Sequence, residues 1–145
     1  MMKTYAVSAC LMGRNCKYNG GNNFSERLVR FLEKEGARVI EICPETAGGL
    51  PVPRASVELV NGIAINTKGE NVHHEFSMGV VRCLGQLKGQ KIEAVILQPR
   101  SPSCGVGQIY DGTFSKKLIP GNGLMVQALI REGYKVISLD EMEGL

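Results

Sequence analysis

The apolar and polar positions of the chain fall into two alternating periods, and these divide it into strands and helices. Thr4 to Ala9 is a short apolar run that reads as a strand, followed by a loop from Cys10 through Gly13, Gly20 and Gly21 to Asn23. Asn23 and Glu26 have the spacing of a capping box, and Phe24, Leu28, Phe31 and Leu32 then share one face of an amphipathic helix that Gly36 stops. Arg38 to Ile42 is a β-rich run ending at Cys43-Pro44. Strand, crossover helix and strand in that order predict a parallel, right-handed pair.

Pro44 to Arg54, with Gly48, Gly49, Pro51 and Pro53, reads as irregular chain. Val57–Val60 and Ile63–Asn66 flank Asn61-Gly62, a strong hairpin signal that predicts a small excursion from the main sheet. Val72 to Leu87 places Phe76, Val80, Cys83, Leu84 and Leu87 on one helical face, with Gly79 and Gly85 as weak points. Ile92 to Leu97 is nearly continuous in apolar residues, as a central strand covered on both faces would be. Gln98 to Asn122 reads as a long loop of the kind that carries function. A helix from Gly123 to Glu132 and a strand from Lys135 to Leu139 close the chain. The alternation predicts one α/β domain over residues 1–145: a Rossmann-like or flavodoxin-like three-layer sandwich, its sheet mostly parallel, with a small β-hairpin excursion.

Composition narrows the class. At 145 residues and 43% hydrophobic, the chain can bury a full core without disulfide staples. No apolar run reaches 18 residues and the first residues lack a signal-peptide core, so a cytoplasmic protein without a membrane span is expected. Seventeen basic and fourteen acidic residues are scattered with no basic stripe, which argues against a nucleic-acid face and leaves a small-molecule ligand.

The five cysteines, Cys10, Cys16, Cys43, Cys83 and Cys104, carry the candidate chemistry. With no CxxC pair, in a reducing compartment, they read as ligands, nucleophiles or buried thiols. Open α/β sheets bind ligands beyond the carboxyl ends of their strands. Cys10 follows the first strand, Cys43 the second, and Cys104 lies seven residues past Leu97. Three thiols converging there suit a soft metal or an iron-sulfur cluster and leave one coordination position open. Cys83 lies on an apolar helical face and reads as core. Cys16 is open among a fourth ligand, a resolving thiol and no role. Arg100, Ser101 and Ser103 precede Cys104, and Arg100 is expected to lower a thiol pKa there. Glu45 is the acid placed to exchange a proton at the site. His73 and His74 have no ligand spacing and read as surface residues, and Asp111 reads as a turn residue.

Three blocks are specific enough to compare with a family. They are Ser8-Ala9-Cys10-Leu11-Met12-Gly13 with Tyr18 and Gly20-Gly21, then Cys43-Pro44-Glu45 with Gly48-Gly49-Leu50-Pro51 and Pro53-Arg54, then Arg100-Ser101-Pro102-Ser103-Cys104-Gly105 running into Ile109-Tyr110-Asp111-Gly112-Thr113-Phe114. In that order they resemble the thiouracil desulfurase family, formerly domain-of-unknown-function family 523. The resemblance implies a [4Fe-4S] cluster held by Cys10, Cys43 and Cys104, with Glu45 as catalytic acid/base and Ser101 as active-site serine. It implies non-redox desulfuration of a thiolated pyrimidine such as 2-thiouracil, giving uracil and hydrogen sulfide. Two alternatives stand beside it: a non-catalytic metal- or cluster-binding structural or sensor module, and a phosphate- or nucleotide-binding protein. The last is disfavoured because neither GxGxxG nor GxxxxGK[ST] follows the first strand.

Overall fold

The computed structural model describes residues 2–144. At its centre is a four-stranded sheet built from β1 (Thr4–Ser8), β2 (Arg38–Ile42), β5 (Ala94–Leu97) and β8 (Val136–Ser138), in the order β2-β1-β5-β8 with every pair parallel. Side chains alternate across the two faces, as the pleat requires. Tyr5, Val7, Ala94 and Ile96 face α1 (Glu26–Lys34) through Leu28 and Leu32. Ala6, Val95 and Leu97 face α3 (His73–Leu87) and α4 (Leu124–Arg131) through Cys83, Leu87, Met125 and Leu129. Helices on both faces make the expected three-layer sandwich.

Two antiparallel hairpins stand outside this sheet. β3 (Val57–Val60) and β4 (Ile63–Asn66) turn at Asn61 and Gly62, whose φ values of 51° and 82° are those an Asn-Gly hairpin turn demands. β6 (Gln108–Tyr110) pairs with β7 (Leu118–Pro120). Both lie over Phe76 of α3, with Val57, Leu59, Ala64 and Ile109 buried between them.

Four local expectations change. The segment 98–122 is not a structureless loop, because β6 and β7 lie within it. Pro44–Ala47 forms a short helix, α2, whose proline occupies a first-turn position where no N–H is needed. The cap of α1 is Ser25, whose side chain accepts from Leu28 N at 3.2 Å, and not Asn23. Asn23 turns its amide to the Cys10 sulfur at 3.9 Å, which leaves Phe24 outside the helix and exposed.

The remaining surprise is Gly79. Helices α2 and α3 touch backbone to backbone: a Cβ on Gly79 would overlap the Pro44 carbonyl oxygen, and one on Gly48 would overlap that of Glu75. A residue that weakens a helix in isolation is what lets α2 sit against it.

Candidate active site

The order β2-β1-β5-β8 reverses between β1 and β5, and a crevice opens there beyond the carboxyl ends of the strands. Cys10 lies in the 3-10 turn (Ala9–Met12) that leaves β1, Cys43 immediately precedes α2, and Cys104 lies on the segment after β5. All three line one cavity of about 510 Å³, together with Cys16, Glu45, Ser101 and Ser103. Thus the five residues singled out from sequence, Cys10, Cys43, Cys104, Glu45 and Ser101, come together although they span 94 positions of chain, and Cys16 joins them. Cys83 does not. It is fully buried in the core, and burial pushes its thiol up to about 12.

The thiols differ in environment. Cys16 interacts with both Cys10 and Cys43. Its hydrogen-bonding interaction with Cys10 holds the Cys10 thiol below its ordinary range and raises Cys16 itself. Cys43 is pushed up, first by its bond to Cys16 and then by burial. Burial raises Cys104 to about 12, outweighing the polar surroundings of Ser8 and Ser103. Arg100 does not lower it, contrary to expectation. Its guanidinium is half exposed and turns to Asp140 at 3.9 Å, so solvent and a carboxylate take its charge.

Among the described residues, no three His, Cys, Asp or Glu side chains gather closely enough to hold a single metal ion. The thiols share the wall of a cavity instead of closing on a point. Three soft donors spread around such a space fit a multi-atom cluster, whose irons each take a separate thiolate.

Glu45 is held from two sides. Arg54 Nε and Nη2 both donate to Oε1, at 3.2 and 3.0 Å, and Ser103 Oγ donates to Oε2 at 2.9 Å. Both side chains of the ion pair are largely withdrawn from solvent, 6% exposed for Arg54 and 13% for Glu45. Ser103 Oγ also lies 3.7 Å from the Cys104 sulfur, but its single hydrogen goes to the shorter, charged contact. Ser101 Oγ accepts from Ser103 N at 3.1 Å and Cys104 N at 3.0 Å, so its own hydrogen points to Ser103 Oγ 3.0 Å away. A line of hydroxyls therefore runs Ser101, Ser103, Glu45.

Sequence reasoning assigned no role to Arg54 or Ser103, although both stand in the quoted blocks. The only signal was their proximity in sequence to Glu45 and Cys104. The hairpins also contribute to the lining of the cavity, with Tyr110, Phe114 and Lys116. There Glu58 Oε1 accepts from Gly112 N at 2.9 Å and Phe114 N at 3.0 Å, fixing the β6–β7 tip over the cavity. Asp111 is the turn residue expected, accepting from Thr113 N at 2.9 Å. His73 Nδ1 accepts from Ala64 N at 3.2 Å and so ties α3 to β4, while His74 is exposed.

The model of the 2-thiouracil desulfurase family matches residues 5–141, which includes every residue of this site. The chain belongs to the 2-thiouracil desulfurase family. The uncharacterized protein YbbK of Bacillus subtilis (strain 168) is 36% identical over 149 residues, covering 96% of this chain and 97% of its own length. Among solved structures, the [4Fe-4S]-dependent thiouracil desulfidase TudS superposes with a TM-score of 0.90 at 36% identity, covering 99% of this chain and 95% of that one. The desulfurase architecture, with its mostly parallel sheet and small hairpins, extends over the whole described chain.

Proposed function

We propose that this desulfurase is [4Fe-4S]-dependent, holds the cluster through Cys10, Cys43 and Cys104, and removes sulfur from a thiolated pyrimidine by hydrolysis. The observation that carries the proposal is the shared cavity: three thiols in its lining together with a clamped carboxylate. Its volume of about 510 Å³ suits a cluster and a single ring. Tyr110 and Phe114 in the same lining suit a flat heterocycle.

A cluster bound by three thiolates supplies an iron with an open position, a Lewis acid toward the soft sulfur of a thiocarbonyl. The protein supplies the proton chemistry. Glu45, whose Oε2 is left free of the guanidinium, takes a proton from the water that adds to the thiocarbonyl carbon and returns it to the departing sulfur. The water oxygen becomes the ring carbonyl and both its protons leave with sulfur as hydrogen sulfide, so no electrons are exchanged. Ser101 acts one hydroxyl behind, through Ser103, and holds the Cys104 loop by its two accepted N–H groups.

Anaerobic reconstitution, iron and sulfide analysis, and sulfide release from 2-thiouracil test this reading. About three to four irons per chain are expected. Cys10→Ala, Cys43→Ala and Cys104→Ala each abolish loading. Glu45→Gln keeps the iron and loses about 100-fold or more in kcat. Iron retained after all three cysteine changes, or a loaded enzyme silent on a panel of thio-bases, refutes the proposal.

A further inference from the structure

Arg54 makes an unusual pair with Glu45. An arginine and a carboxylate commonly meet fork to fork, two nitrogens on two oxygens. Here Nε and Nη2 both address Oε1, which leaves Oε2 to Ser103 and free of the guanidinium. The rest of the guanidinium is spent on main chain: Nη2 also donates to the Cys16 carbonyl at 2.9 Å, and Nη1 to that of Pro51 at 3.2 Å. The Arg54 backbone N–H donates to the Tyr18 carbonyl at 2.7 Å. Its side chain is only 6% exposed. One residue thus joins the carboxylate, the segment carrying Cys16 and the turn at Pro51.

We infer that Arg54 is a positioning residue for Glu45, selecting Oε2 as the reactive oxygen and pinning the Cys16 segment as one wall of the cavity. The inference rests on the proposed desulfuration for its catalytic part. Glu45 stands on a four-residue helix, and among the described contacts only Arg54 and Ser103 restrain its side chain. Without the guanidinium the carboxylate is free to rotate, and either oxygen can turn away. Four of its five N–H groups address protein acceptors, so the guanidinium is committed chiefly to holding the protein. A lysine cannot substitute, because an ammonium lacks the planar fork that reaches Oε1 and the Cys16 carbonyl together.

The test compares Arg54→Lys and Arg54→Ala with the parent, all reconstituted anaerobically. Expected for Arg54→Lys are unchanged iron and sulfide content, a kcat lower by about 30- to 100-fold, and a KM within about threefold. Added guanidinium restores part of the Arg54→Ala rate, whereas methylammonium does not. Independently of turnover, alkylation of Cys16, followed by peptide mapping on the loaded protein, is faster in both variants by about fivefold or more, as expected for a released segment. Parental kcat in Arg54→Lys, or iron lost in step with activity, overturns the inference while the desulfurase reading stands. A parent inactive on thio-bases overturns that reading, and Cys16 labelling then decides whether Arg54 pins the segment. Unchanged labelling in both variants overturns this part.

Discussion

Gly79→Ala is the most exacting test of how the site is held. The added methyl overlaps the Pro44 carbonyl oxygen and lies 2.6 Å from the Pro44 carbonyl carbon and 3.0 Å from Gly48 N. Carbon atoms in contact normally stand about 3.5–4.0 Å apart, so α2 must withdraw by about 1 Å. Overpacking of this kind costs about 1–3 kcal/mol, against a gain of about 0.8–1 kcal/mol for replacing glycine by alanine in a helix. Gly85 supplies the control on the same helix, because nothing lies within 4 Å of its Cβ position. Gly85→Ala is therefore expected to stabilise by up to about 1 kcal/mol, and Gly79→Ala to destabilise by up to about 2 kcal/mol, read by urea unfolding of the apoprotein. Activity separates them further. Cys43 immediately precedes α2 and Glu45 lies within it, so withdrawal by about 1 Å lowers kcat by about 100-fold in Gly79→Ala and leaves Gly85→Ala at the parental value. Equal stability and equal kcat in the two variants would show that the helix contact does not position the site.

Three further outcomes follow from other parts of the fold. The Cys83 thiol is raised by burial from about 9 to about 12, so the stability that the neutral thiol lends is complete below about pH 9 and is lost as pH climbs through 12. Cys83→Val should flatten that alkaline limb, measured as unfolding free energy against pH. Ser25→Ala is expected to cost about 1 kcal/mol through the lost cap of α1, whereas Asn23→Ala leaves the helix intact; thermal melts followed by circular dichroism distinguish them. Glu58→Ala strands the N–H groups of Gly112 and Phe114, costing about 1–3 kcal/mol each where they are shielded from water. Its expected signature is a several-fold higher KM for 2-thiouracil and faster proteolysis within 111–117, with iron content unchanged.

Much of the frame was legible because its signals are local. The apolar run ending at Leu97 could only be a covered strand, and Asn61-Gly62 could only be a tight turn, since few other residues accept two positive φ values. The cap of α1 was misplaced because Asn23 and Ser25 are both good caps, and the choice depended on the Cys10 sulfur, a partner thirteen residues away. The strands β6 and β7 were missed because three-residue strands among glycines and prolines leave too little periodicity to detect. Arg100 was expected to act on a thiol by adjacency in sequence, yet its guanidinium turns to Asp140.

The order of elements, the α/β class and the identity of the three cysteines at strand ends belong to the linear chain, because strand period, turn chemistry and side-chain type are read over a few residues. What holds the reactive carboxylate does not. Glu45 meets Ser103 across 58 positions, Arg54 reaches back 38 to the Cys16 carbonyl, and α2 docks on α3 only where two glycines face each other. Such contacts depend on how whole elements pack, and no window of sequence contains both partners. The chain names the donors and the acid, while packing chooses which oxygen the guanidinium holds and which thiol returns to the core.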